Sequence, residues 1–258
     1  MPPVTAATQA ESEPAIILHR RDYRDSSLLL DVFSRDHGRV GLVAKGVKKP
    51  RARWRGQLEP LRLLQLGWRG RSDLKTLTQA DPVLPALTLR GVALYAGFYA
   101  AELVLRMTPR EDPNPDVFRA LLETLHALGS SPDINIKLRT FELSLLDACG
   151  YGLPLHETQA GNAIRADGWY SFDPIAGFSE VDEPAPGRVS GRVILALQTA
   201  GAGLAPVRRE ARELLARALQ PHLGARPLQS AITLRAMQKL RRTSTGSEEG
   251  GQEPRDRH

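Results

Sequence analysis

The chain has 258 residues, of which 41% are hydrophobic and 25% charged, with 35 Lys and Arg against 29 Asp and Glu. That is enough chain for one large domain or two modest ones with a buried core, and the composition is that of a globular protein. Cys149 is the single cysteine, which excludes an intramolecular disulfide and every Cys-rich zinc site. The histidines (His19, His37, His126, His156, His222 and His258) show no pair at helical ligand spacing, so no metal or other cofactor is expected. The most apolar stretch, Val92 to Met107, is broken by Glu102 and Arg106, so no membrane association is expected. The first residues carry Pro2, Pro3, Glu11 and Glu13 instead of a basic and then apolar leader, so a cytoplasmic protein is expected.

The charge is unevenly placed. Residues 1–80 hold 15 Lys and Arg against 8 Asp and Glu, whereas residues 81–258 hold 20 against 21. A basic module on a near-neutral body points to a polyanion engaged by one end of the molecule.

In chain order, residues 1–13 are polar and aperiodic and are expected to be a disordered lead. Apolar runs at Ile16–Leu18, Leu28–Phe33 and Arg39–Ala44 follow, the last two divided by Asp36-His37-Gly38. Leu61–Leu66, a turn at Gly67–Gly70 and Leu74–Leu77 complete about five strands, a small barrel over 14–80. Beyond Asp81-Pro82 the pattern is helical, and residues 81–242 are expected to form a helical body. Helices are predicted at 91–107, at 116–128 with Asp116 as N-cap, and at 134–149, where Ile134, Leu138, Phe141 and Leu145 share one face. An irregular, aromatic-containing segment spans 153–187, helices follow at 188–199, 207–220 and 228–240, and residues 243–258 are expected to be a disordered tail. The fold class is therefore α+β, an N-terminal β-barrel followed by an α-helical domain.

The sharpest feature is Lys45 to Gly56, where six of twelve residues are basic: Lys45, Lys48, Lys49, Arg51, Arg53 and Arg55. Dispersed cations of this kind suit phosphates. Trp54, inside the run, either stacks on an unpaired base or packs against the barrel. Gly46 and Gly56 are not a phosphate-binding P-loop, because no Gly-Lys-Ser/Thr follows at the required spacing. No nucleophile elbow, zinc-protease or kinase signature occurs either, and the acidic group Asp167, Asp173, Glu180, Asp182 and Glu183 lacks a phosphate-positioning frame. The chain reads as a non-enzyme. The alternative is a barrel that contacts a protein without binding DNA directly.

Three stretches carry a family likeness: Ser26 to Gly46, with Gly38-Arg39-Val40 and Leu42-Val43-Ala44-Lys45-Gly46; Leu94-Tyr95-Ala96-Gly97-Phe98-Tyr99 with Glu102-Leu103; and Arg139-Thr140-Phe141-Glu142-Leu143 running into Gly150-Tyr151-Gly152. Leu219, Pro221-His222-Leu223-Gly224 and Pro227-Leu228-Gln229-Ser230 add to it. Over residues 14–240 the chain resembles the RecO family of bacterial recombination mediators. The resemblance implies an OB-fold (oligonucleotide-binding) barrel and a helical body. It also implies DNA repair and homologous recombination through binding of single- and double-stranded DNA, annealing of complementary strands, and action with RecR and the single-stranded DNA-binding protein SSB to load RecA. Arg39 joins the basic loop as a DNA-binding candidate. Lys137, Leu138, Arg139 and Phe141 are the candidates for receiving the acidic SSB C-terminal tail, the alternative for Arg139 being an ion pair with Glu142. A monomer is expected. Many relatives carry four zinc-binding cysteines in the segment that here spans 153–187, which contains none, so zinc is not carried over.

Overall fold

The computed structural model describes residues 9–83, 87–131, 133–199 and 202–248. The first five strands are β1 (Ala10–Tyr23), β2 (Ser27–Ser34), β3 (Gly38–Ala44), β4 (Leu63–Arg69) and β5 (Leu74–Pro82). They close into a barrel of order β1-β2-β3-β5-β4, in which β3 and β5 pair in parallel and the other neighbours antiparallel. Strand side chains alternate between faces, and here both faces are covered. Ala15, Ile17, Leu30 and Val32 fill the barrel interior, while Ile16, Leu18 and Phe33 face the helices. Strands buried on both sides read as continuous apolar runs, which is why Ile16–Leu18 and Leu28–Phe33 show no alternation.

The helical body comprises α1 (Gly91–Met107), α2 (Pro115–Ser130), α3 (Ile134–Ala148), α4 (Gly191–Thr199), α5 (Arg208–Leu219) and α6 (Gln229–Glu248). Between α3 and α4 lies a small antiparallel sheet of β6 (Trp169–Asp173), β7 (Gly177–Val181) and β8 (Val189–Ser190), in the order β7-β6-β8. The helices share one core with the outer face of the barrel and with this sheet.

Several sequence expectations need correction. The first strand starts at Ala10, within the segment expected to be disordered, because Ala10 and Glu13 pair with Trp68 and Leu66. The buried Glu13 carboxylate also accepts from Ser34 Oγ and Asp36 N, both at 2.8 Å. The rest of that expected lead, residues 1–8, lies outside the described residues. Gly67, Trp68 and Arg69 belong to β4 and not to a turn. The register shifts at Gly67, where a Cβ would come within 2.7 Å of the Glu11 carbonyl oxygen, so the glycine marks a close backbone approach inside a strand. The cap of α2 is Asn114, whose side chain accepts from Val117 N at 3.0 Å; Asp116 lies within the first turn and pairs with Arg119. The irregular segment folds as the β6–β8 sheet, with Tyr170, Phe172 and Phe178 buried. Val189–Ser190 is its third strand, so the helix expected from 188 begins at Gly191. The α6 backbone continues through Glu248 into the expected tail, and residues 249–258 lie outside the described residues.

Barrel and helices are joined by a strap, residues 108–112, that leaves α1 and crosses the barrel. Glu111 N donates to Arg39 O at 3.0 Å, Arg110 Nη2 pairs with Asp31 at 2.8 Å, and the buried Lys75 ammonium pairs with Glu111. Gly38, with φ +64°, lies so close to Asp112 that a Cβ would stand 2.0 Å from its carbonyl oxygen. No larger residue fits there without moving the strap.

Candidate nucleic-acid interface

The segment between β3 and β4 is built from successive tight turns. Lys49 N donates to Gly46 O, Ala52 N to Lys49 O, Arg55 N to Ala52 O and Gln57 N to Trp54 O, at 3.1–3.3 Å. Two apolar side chains, Val47 and Leu58, are buried in the barrel core and pin the segment at both ends. Next to Val47 it is also tied to the β1–β2 turn and the end of β1, because Lys48 N donates to Ser26 O at 3.1 Å and Lys48 Nζ pairs with Asp22 at 2.8 Å.

On this frame Lys45, Lys48, Lys49, Arg51, Arg53 and Arg55 are all exposed. Lys45, Lys49 and Arg51 have no ion-pair partner among the described residues. Arg55 donates to Pro50 O at 3.2 Å and keeps its charge. The Arg53 guanidinium lies over the Trp54 ring, 5.7 Å from its centroid. Trp54 is half-buried against the barrel core, and its Nε1 is buried without an acceptor among the described residues. Of the two readings of Trp54, packing is present, and part of the ring remains accessible. Trp68, by contrast, is fully buried.

Arg39 does not share this face. Its Nη1 donates to the carbonyl oxygen of Leu105 in the last turn of α1, and burial followed by the neighbouring Arg110 holds its pKa below the usual arginine value. It joins the domains, as a cation at a helix C-terminus. The β1–β2 turn brings residues that sequence reasoning passed over: Arg21 and Arg24 are exposed, and the Arg24 guanidinium lies 5.2 Å from the Tyr23 centroid. Their signal was the same as that of the loop, an aromatic among basic residues in Arg20-Arg21-Asp22-Tyr23-Arg24.

The second set of candidates divides. Leu138 and Arg139 line a cavity of about 100 Å³ between α1, α3, α5 and α6, whereas Phe141 is core and neither it nor Lys137 lines that cavity. Arg139 is 5% exposed and pairs with the buried Glu142, so the ion pair weighed from the sequence is formed. Glu142 also accepts from Tyr99 OH at 2.7 Å. Burial and then the Glu142 charge push the Tyr99 pKa well above its ordinary value. Arg212 and Arg235 stand at the same cavity without an ion-pair partner among the described residues, beside Leu219, Leu228 and Leu234. Neither was singled out in the sequence, because α5 and α6 lie far along the chain from α3, which carries Leu138 and Arg139.

The β6–β8 segment does not fit a zinc site. It contains no cysteine, and Phe172 and Phe178 pack at 5.0 Å between centroids in its core. Among the described residues no group of three or more His, Cys, Asp or Glu is placed to hold a metal. No described helix is long and apolar enough to cross a membrane.

A closed five-stranded barrel of the OB type, with a cationic rim and a helical body behind it, defines an α+β protein of the OB-barrel class. A family model described as recombination protein O N terminal matches residues 9–86, and one described as recombination protein O C terminal matches residues 89–231. The chain is 44% identical over 232 residues to the DNA repair protein RecO of Halorhodospira halophila, covering 88% of this chain and 98% of that relative. It is 38% identical over 242 residues to the DNA repair protein RecO of Burkholderia pseudomallei (92% and 88% covered) and 39% over 223 residues to that of Methylococcus capsulatus (86% and 92%). The chain belongs to the recombination protein O (RecO) family of DNA repair proteins.

Proposed function

We propose that this chain is a non-catalytic DNA mediator, whose barrel rim binds single- and double-stranded DNA and holds complementary strands together for annealing. The observation that carries this reading is the set of exposed cations on Lys45–Arg55, presented by a segment anchored at three points. Annealing needs phosphate repulsion neutralised and strands held close, which such a rim supplies without a catalytic group. Reversing Lys49, Arg51 and Arg53 to Glu is expected to weaken DNA binding more than tenfold and to flatten its salt dependence, since each duplex phosphate contact contributes a slope of about −0.9. Affinity and slope both unchanged by the reversal would leave the protein-adaptor reading in its place.

The Arg-rich cavity supports the partner half of the proposal, which is action with RecR and with SSB in loading RecA. An acidic tail ending in an apolar side chain and a free carboxylate needs a cation beside a small apolar pocket. Leu138, Leu219 and Leu234 offer the pocket, and Arg212 and Arg235 offer unpaired cations. Arg139, engaged by Glu142, shapes the wall. Replacing Arg212 and Arg235 together with Glu is expected to abolish binding of a tail peptide in a fluorescence titration while naked-DNA binding stays within twofold. Normal peptide binding by that variant would refute the assignment.

A further inference from the structure

Between the basic segment and the end of β1 lies a cleft of about 280 Å³. Leu28, Val47 and Leu58, all buried, belong to its lining, and the Trp54 indole forms a wall. Lys48 and Arg55 line it as well, and its single acid, Asp22, is neutralised by Lys48 at 2.8 Å. An apolar pocket with an aromatic wall, set among cations, has the chemistry of a site for a flat, uncharged ring attached to phosphates. Phosphates alone would use the cations and leave the apolar lining and the indole unused.

We infer that this cleft takes one unpaired base of a single strand, with the flanking phosphates on Lys45, Lys49 and Arg51. The inference rests on the proposed DNA binding and deepens it, by assigning the rim a preference for unpaired strands. Three features agree on this occupant. Every base has a π-face for the indole, so the site is indifferent to sequence. The apolar lining of Leu28, Val47 and Leu58 suits a flat, uncharged ring. A base in a duplex is held in its stack, and withdrawing it costs unpairing and unstacking energy, so the cleft stays unused on double strands. On duplex DNA the rim then works through phosphates alone.

The experiment compares three probes of equal length with the full chain: fluorescein-labelled oligo(dT), an abasic polymer with the same phosphodiester backbone, and duplex DNA. Oligo(dT) is expected to bind roughly tenfold or more tighter than the abasic polymer, the range that one base–aromatic stack provides. Trp54→Ala is expected to erase that difference and to leave duplex affinity within twofold, and Trp54→Phe to retain most of it. Equal affinity of the unaltered protein for oligo(dT) and the abasic polymer overturns the base cleft, with no variant required. A Trp54→Ala chain that melts normally and weakens all three probes alike overturns it too. Failure of the abasic polymer and the duplex to bind at all would instead refute the DNA-binding rim itself, so the two failures are told apart.

Discussion

Arg39 shows how one residue's role is set by what lies across from it. In the sequence it is a cation in a basic third of the chain; in the fold its guanidinium engages the Leu105 carbonyl at the end of α1. Arg39→Ala is expected to cost about 1.5–3 kcal/mol of stability, the range for a hydrogen bond involving a charged group. Denaturant melts would measure it, and DNA affinity should hold within twofold. Tyr99 gives a pH signature. Its folded pKa lies above the unfolded value, so the folded state keeps the phenolic proton where the unfolded chain has lost it. The stabilisation from this residue is complete below about pH 10 and is lost as pH rises from there towards the folded value. Melting temperature followed from pH 8 upward should therefore fall, and Tyr99→Phe should remove that part of the fall. An identical alkaline profile in both proteins would assign the loss to other groups.

At the scale of elements, α6 is the most consequential for the cavity. Leu234 is the buried side chain of its described face, packing with Ala96, Leu128 and Leu138. The helix start is held by Glu102, which accepts from Gln229 N at 3.2 Å and Ser230 N at 2.9 Å. Leu234, Arg235 and Gln238 line the cavity although the matched family region ends at residue 231. Leu234→Ala is expected to destabilise the protein by about 2–3 kcal/mol, the low end for a buried leucine. It should also weaken tail-peptide binding at least tenfold, because the wall loses its anchor. A stable variant with unchanged peptide affinity would show that α6 is not part of the receptor.

For the whole molecule, the strap and Arg39 make barrel and helical body share a core, so the cationic rim is held at a set distance from the Arg-rich cavity. The β6–β8 sheet contributes Tyr170, Phe172 and Phe178 to that core and contains no cysteine. Folding is therefore expected to be independent of metal: chelator treatment should leave the melting temperature unchanged, because no metal-binding free energy is folded into the stability. One tightly bound zinc per chain, found by elemental analysis of the purified protein, would contradict this.

The order of elements followed from local pattern. The apolar runs marked β1 to β3, the turn at Asp36-His37-Gly38 divided two of them, and the spacing of Leu138, Phe141 and Leu145 marked the buried face of α3. Six basic residues in twelve were equally plain, because a dense charge run next to strand patterns is a property of neighbouring residues. What local pattern could not decide was every feature made by residues distant in the chain. Gly67 reads as a turn until Glu11 is seen against it, and Arg39 reads as a surface cation until α1 ends beside it. Trp54 reads as exposed or packed until Val47 and Leu58 draw its segment onto the barrel. Arg212 and Arg235 meet Arg139 only after α3, α5 and α6 pack. Composition and periodicity determine which elements form and where charge accumulates, since both are short-range. Only tertiary packing decides which cations remain free, because pairing and burial depend on contacts that no stretch of sequence contains.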